Sequence, residues 1–313
     1  MLWIILSLSS YFLAAISGVL DKILLSGPIP KPKVYAFYIG VLGTIVGLIL
    51  IPFGFQLPET PIILLALLSG GIWIPGVIGL FEGLRKHEAS RIIPATGALV
   101  PCFVFAFNYI FSKFANEPVS GLSKIKLLAF FLLLLGSVLI SYERKKKITK
   151  ESLKIAIVSA ILFALSFVCV KYVFLSQPFI SGFIWTRLGG FLGAFALFFT
   201  KDVQEELFSK LRKKATPKPL FYRKKVALLF LSNQAIGGAS GLFQTLAIYF
   251  SPKAYLPFVN ALEGTKYVFL FLFTLILSFR FPKILLEATE KQVILQKLFA
   301  ILLIIAGLFL LLK

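Results

Sequence analysis

Residues 124–141 read KIKLLAFFLLLLGSVLIS and residues 294–312 read ILQKLFAILLIIAGLFLLL. Each is an apolar run of about 20 residues, enough for a helix to cross the ~30 Å hydrocarbon core of a bilayer. The two are also related. Lys126, Leu127, Ala129, Leu132, Gly136 and Leu139 of the first align in order with Lys297, Leu298, Ala300, Leu303, Gly307 and Leu310 of the second. The pair therefore carries two expectations at once: the chain spans a membrane, and it repeats.

Outward from these runs, eight further apolar blocks lie at roughly 2–21, 34–53, 62–84, 92–113, 153–174, 179–199, 226–249 and 254–279. Hydrophobic residues make up 58% of the 313 positions and charged residues only 15%, with a mean hydropathy of +0.93. A soluble chain is about half apolar and about a quarter charged, so two soluble domains are excluded. A lone strand cannot satisfy its backbone in lipid, so each block is read as a helix. The first block lacks a basic leader, so a span is favoured over a signal peptide.

The other blocks repeat as well, and internal repeats are sought before finer detail. Ser10, Leu13, Ala15, Ser17, Val19 and Lys22 match Ser159, Leu162, Ala164, Ser166, Val168 and Lys171. Pro32, Phe37, Leu42, Gly43 and Gly47 match Pro178, Phe183, Leu188, Gly189 and Gly193, and Pro94, Ala98 and Leu99 match Pro257, Ala261 and Leu262. Gly79-Leu80-Phe81-Glu82 matches Gly241-Leu242-Phe243-Gln244. A unit of five spans ends on the opposite side from its start, so its second copy is inverted. The predicted fold class is an all-α polytopic membrane protein with ten transmembrane helices as two inverted five-helix repeats. The first covers residues 1–142 and the second 153–313. Residues 143–152 form a basic connecting loop, and a longer basic loop lies at 201–225. That longer loop is read as a solvated basic segment in preference to a short interfacial helix.

Charge gives orientation. The 33 Lys and Arg exceed the 13 Asp and Glu by 20, a surplus that in a soluble chain would point to nucleic acid. Here it divides by loop, with 25 basic residues in odd-numbered connections against 5 on the other side. The positive-inside rule places the odd connections in the cytoplasm and both termini outside, so membrane lipid, not nucleic acid, is the expected partner. Cys102 and Cys169 fall within apolar blocks, and His87 is the sole histidine. Neither a disulfide framework, a metal site nor a cofactor is expected. No Gly-x4-Gly-Lys-Ser/Thr run occurs for nucleotide binding.

Five-plus-five spans, a Ser-x4-Lys pattern closing the first helix of each half (Ser17/Lys22 and Ser166/Lys171), a proline-marked fourth helix and a glycine within the last helix resemble the drug/metabolite transporter superfamily, and EamA-type permeases in particular. The resemblance covers nearly the whole chain. It implies a secondary transporter that moves a small-molecule substrate by alternating access through a cavity between the repeats. A flippase for a lipid-linked substrate is the main alternative, and a membrane enzyme the lesser one. This chain departs from such permeases in its long 201–225 connection and in the orientation of its termini.

Charges within spans are the sharpest local signal, because each costs at least ~2.5–3.5 kcal/mol in hydrocarbon. Arg187 lies near the middle of its span, and Glu263 is followed at i+3 by Lys266. The expected substrate-binding set is Arg187, Gln244, Glu263, Trp185 and Asn260. Arg187 would anchor a carboxylate or phosphate, and Glu263 is the candidate for ion coupling. The plainer reading makes Arg187, Glu263 and Lys266 mutual counter-ions. Lys22 and Lys171 are expected to snorkel towards the membrane surface. Gly43, Gly47, Gly189 and Gly193 are expected to pack helices, and Pro94 and Pro257 to kink them.

Overall fold

A computed structural model of the protein describes residues 1–26, 29, 31–86, 89–114, 122–142, 149–208, 224–280 and 291–313. Among these residues there are helices and turns but no strand. The helices are α1 (Leu2–Ser26), α2 (Pro32–Ile49), α3 (Thr60–Lys86), α4 (Ala89–Phe114), α5 (Lys124–Ser141), α6 (Lys150–Ser176), α7 (Phe179–Phe198), α8 (Lys201–Phe208), α9 (Lys224–Phe250), α10 (Leu256–Ala261), α11 (Gly264–Arg280) and α12 (Lys291–Leu312). Among the described residues, nine segments are long and apolar enough to cross a membrane; α10 and α11 together make up most of one of them. The comparably apolar α5 lies along α12.

The outward faces explain where such a bundle resides. On α5, Leu128, Phe131 and Leu135 are exposed, as are Leu295, Leu302, Ile305 and Phe309 on α12. Stripes of large apolar side chains at helical spacing would be costly against water and are at home in lipid. The chain is compatible with an integral multi-pass membrane protein on these grounds.

Three sequence readings change. First, α1 runs past its apolar block to Ser26 and takes Asp21 into the bundle. Second, the segment after Lys201 begins as a helix. Asp202 lies in the first turn of α8, where the helix dipole favours an acid. Val203 is buried, and Lys31 ahead of α2 reaches Glu205 at 2.8 Å and Asp202 at 3.6 Å. Residues 209–223 and the 143–148 part of the other basic loop lie outside the described residues. Third, the block 254–279 is not one helix. Pro257 sits in the first turn of α10, where no backbone donor is needed, so it starts a helix and does not kink one. The break comes later, at Leu262 and Glu263. There tight turns take over, with Glu263 N–H donating to Asn260 C=O (3.0 Å) and Lys266 N–H to Glu263 C=O (2.9 Å). The side chain of Pro94, in α4, lies outside the described residues.

Small residues set the packing. A methyl added at Gly136 on α5 would stand 3.0 Å from the Ala300 carbonyl, and one at Gly307 on α12 3.1 Å from the Ala129 carbonyl. Gly189 holds α7 against the backbone of Leu67 on α3, and Gly193 lies against Gly71 in the same seam. Gly47 packs α2 onto α7 beside Ile184, while Gly43 faces the Arg187 side chain. The sequence did not single out Gly40, yet a methyl there would collide with Ala194 and come within 3.1 Å of the Gly190 carbonyl.

Candidate functional site

The helices enclose a cavity of about 550 Å³ between α1, α2, α3, α4, α6, α7, α9 and the α10–α11 break. Arg187 extends into it from α7. Its guanidinium lies between two glycines: a methyl on Gly43 (α2) would be 3.8 Å from Nη1, and one on Gly241 (α9) 3.4 Å from Nη2. The missing side chains make the room that the arginine occupies. The Phe183 ring lies 4.6 Å from its Cζ, a cation–π contact. Among the described residues, no carboxylate or carbonyl hydrogen-bonds the guanidinium. Thr44 Oγ1 donates instead to the backbone carbonyl of Arg187, at 3.3 Å.

Glu263 stands at the break between α10 and α11. Gly97 of α4 gives it space, since a methyl there would approach Glu263 Oε1 to 3.1 Å and crowd the Tyr267 hydroxyl. Lys266, one turn on, comes within 3.9 Å of Glu263 Oε1. Gln244 Nε2 donates weakly to Tyr11 Oη at 3.5 Å, and Tyr11 in turn donates to the Val259 carbonyl at 2.9 Å. Arg187, Gln244, Glu263 and Lys266 thus all face one space.

Two members of the expected set do not line it. Trp185 is two residues from Arg187, and on a helix that is about 200° around the axis. An arginine aimed inward therefore turns Trp185 away, towards Phe55, whose ring centre is 6.3 Å off. Among the described residues its buried Nε1–H has no partner. Asn260 is buried against its own helix, where Nδ2 donates to the Leu256 carbonyl at 3.1 Å. Among the described residues Arg187 forms no ion pair with Glu263, whose Oε1 comes within reach of Lys266 instead.

Residues outside that expected set join the site. Asp21 lines the cavity, and its Oδ1 accepts from Tyr35 Oη–H and from Asn233 Nδ2 (2.6 Å). Asn233 Nδ2 also lies 2.9 Å from Tyr35 Oη. This cluster ties α1, α2 and α9 together. Its sequence signal was weak because Asp21-Lys22 reads as the polar end of a span. Thr96 lines the cavity too, with a buried hydroxyl that has no partner among the described residues. Lys171, expected to snorkel, is instead fully buried. Its Nζ donates to the carbonyls of Ile248 (2.9 Å), Tyr249 (3.3 Å) and Ser251. These lie at the end of α9, where helix carbonyls lack internal donors and a cation is favoured.

No family model matches the sequence, and no curated protein matches it. Its fold is shared. A solved crystal structure, described only as that of a protein, superposes with a TM-score of 0.62 at 15% identity, over 96% of this chain and 97% of the other. At that identity the likeness concerns the fold alone.

Proposed function

We propose that this chain is a secondary-active membrane transporter that binds an anionic solute in the central cavity and carries it across the bilayer by alternating access. The observation that carries the reading is Arg187, a charged fork inside the bundle that meets the Phe183 ring and has no acidic partner among the described residues. Intramembrane charges without partners mark substrate or ion pathways, and the planar guanidinium suits carboxylate or phosphate. Glu263 is the coupling residue in this reading.

Its architecture would be ten spans in two inverted repeats. The α5–α12 seam supports this, because its contacts are reciprocal: Gly136 meets Ala300 and Ile304, while Gly307 meets Ala129 and Leu133. Residue i touching j′ while j touches i′ is the mark of a two-fold relation. Helices α2 and α7 also pack together, as do α4 and α10, each pair being repeat mates in the sequence alignment. Under the same relation α1 on α9 corresponds to α6 on α3, and both contacts are extensive.

Uptake and exchange in proteoliposomes, against a panel of short organic anions with and without a pH gradient, test the function. Arg187→Lys should weaken transport although the charge is kept. Glu263→Gln should abolish accumulation driven by the gradient and leave exchange of labelled for unlabelled solute. Normal transport by both variants would refute the assignment.

A further inference from the structure

The cavity wall is not closed between α2 and α9. Ile45, Val46 and Leu231 line the cavity, yet they are 48%, 45% and 41% exposed. The contrast with the opposite wall is sharp. There α3 seals onto α7, and a methyl on Gly70 would be driven into the backbone of Thr186 and Gly190. On the α9 side, Gly238 borders the cavity and a methyl there would meet nothing within 4 Å.

This opening has a lower limit. The rings of Tyr35 and Tyr38 on α2 meet Phe230 of α9 edge-on, with centres 5.3 and 5.7 Å apart, and Asn233 bonds Tyr35 just beyond. Above this latch the mouth follows α2 from Ile39 to Val46, the eighth to the fifteenth residue of an 18-residue helix. At about 1.5 Å per residue it runs from the middle of the helix to about 4.5 Å short of its end, a depth of acyl chains more than of headgroups. Its border fits that level: Ile39, Leu42, Ile45 and Val46 of α2 and Ala235 and Gly238 of α9 line it, with no charge among them, and Leu231 lies at the latch itself. An aqueous entrance built this way would leave apolar surface against water.

Behind the apolar mouth is a cation with no acidic partner among the described residues. Arg187 lies at the seam itself, with Nη1 towards Gly43 and Nη2 towards Gly241. The other charges of the cavity have partners: Glu263 has Lys266, and Asp21 accepts from Tyr35 and Asn233. Donors are therefore in surplus at the inner end of the opening, and hydrocarbon waits at its outer end.

We infer that the substrate is an anionic amphiphile, with a phosphate or carboxylate head held at Arg187 and a hydrocarbon chain leaving the bundle sideways between α2 and α9. This rests on the transport reading above and names its substrate class.

The test uses the full chain, with Cys102→Ser and Cys169→Ala, in phosphatidylcholine vesicles. Nitroxides attached at Ile45→Cys and Leu231→Cys should collide with oxygen more than with a water-soluble nickel chelate, as a label on lipid-facing Phe131→Cys does. Vesicles carrying a trace of fluorescent phosphatidic acid should then show protein-dependent movement of that lipid between leaflets, read by external dithionite quenching. Arg187→Ala should slow it roughly tenfold or more, as loss of a charge-assisted hydrogen bond implies. Gly238→Leu, at a position where an added Cβ meets nothing within 4 Å, should slow it as well. Nickel-accessible labels, or Arg187-dependent uptake of labelled glycerol phosphate without lipid movement, would overturn the amphiphile and leave the transporter standing. If neither probe nor any short anion moves in an Arg187-dependent way, the transport reading falls with it.

Discussion

Taking a guanidinium out of water costs several kcal/mol unless anions or carbonyls meet it, and among the described residues Arg187 meets the face of Phe183 and the space left by Gly43 and Gly241. In the transport reading it is kept for the substrate, at some cost in stability. Arg187→Met should raise the thermal stability of the purified protein, by on the order of 1 kcal/mol, while removing transport. A fall in melting temperature would mean that the arginine is a structural counter-ion after all. Lys171 shows the opposite arrangement. Three carbonyls at the end of α9 surround its Nζ, so the same kind of charge there holds two helices together. The two cations are alike in sequence context, each a lone basic residue in an apolar run, and only their surroundings separate a candidate anchor from a cap.

Among the elements, α5 and α12 show what glycine spacing contributes in lipid. Helices there gain little from the hydrophobic effect and associate through close backbone approach. A Cβ at Gly136 would lie 2.6 Å from Ile304 Cγ1, and one at Gly307 2.9 Å from Leu133 Cγ. Gly136→Leu and Gly307→Leu should each cost about 1–3 kcal/mol, measured by unfolding in detergent. The double variant should cost less than the sum, because the first substitution already parts the seam. Helix α8 is held differently. Partial burial alone would lower the Lys31 ammonium, but Glu205 and then Asp202 outweigh it, and Lys31 titrates above its ordinary value. A group raised on folding stabilises fully below its unfolded pKa and loses that contribution as pH climbs through the folded one. The attachment of α8 should weaken in alkaline solution and in high salt and hold at neutral pH. A spin label on Glu206→Cys, gaining mobility as pH rises past the ordinary lysine range, would show it. Unchanged mobility in Lys31→Ala would mean that Val203 alone does the anchoring.

For the whole molecule, orientation and asymmetry belong together. The division of basic residues, 25 against 5, expects α8 and the start of α6 in the cytoplasm. Cysteines at Lys201 and Lys154, in a background without Cys102 and Cys169, should resist an impermeant thiol reagent in intact cells, and one at Lys124 should react. The reverse pattern would invert the protein and leave its packing as described. Within the bundle, α3 is sealed against α7 while α2 and α9 part above the Tyr35–Phe230 latch. In the transport reading proposed above, these two seams would be the gates of the two repeats, one closed and one open at one end of the cycle.

The sequence by itself determined the helical class, the membrane-length blocks and the candidate charges. Lipid forces a backbone to satisfy its own hydrogen bonds, so apolar length is read directly as helix. It also determined the glycine register of α5 and α12, because the same small residues recur at the same spacing. Only the tertiary structure decided which polar residues share a space. Arg187 and Trp185 are neighbours in sequence and point apart; Asp21, Tyr35 and Asn233 are distant in sequence and meet. Nor could sequence place the break before Gly264, where α5 comes so close that a Cβ would stand 3.1 Å from Ser137 Cβ. Hydropathy records what each residue prefers as a solvent, and a polar group prefers water wherever it sits. Which polar groups face one another is fixed by the rotation of each helix about its axis, and that is set by packing between segments far apart in the chain.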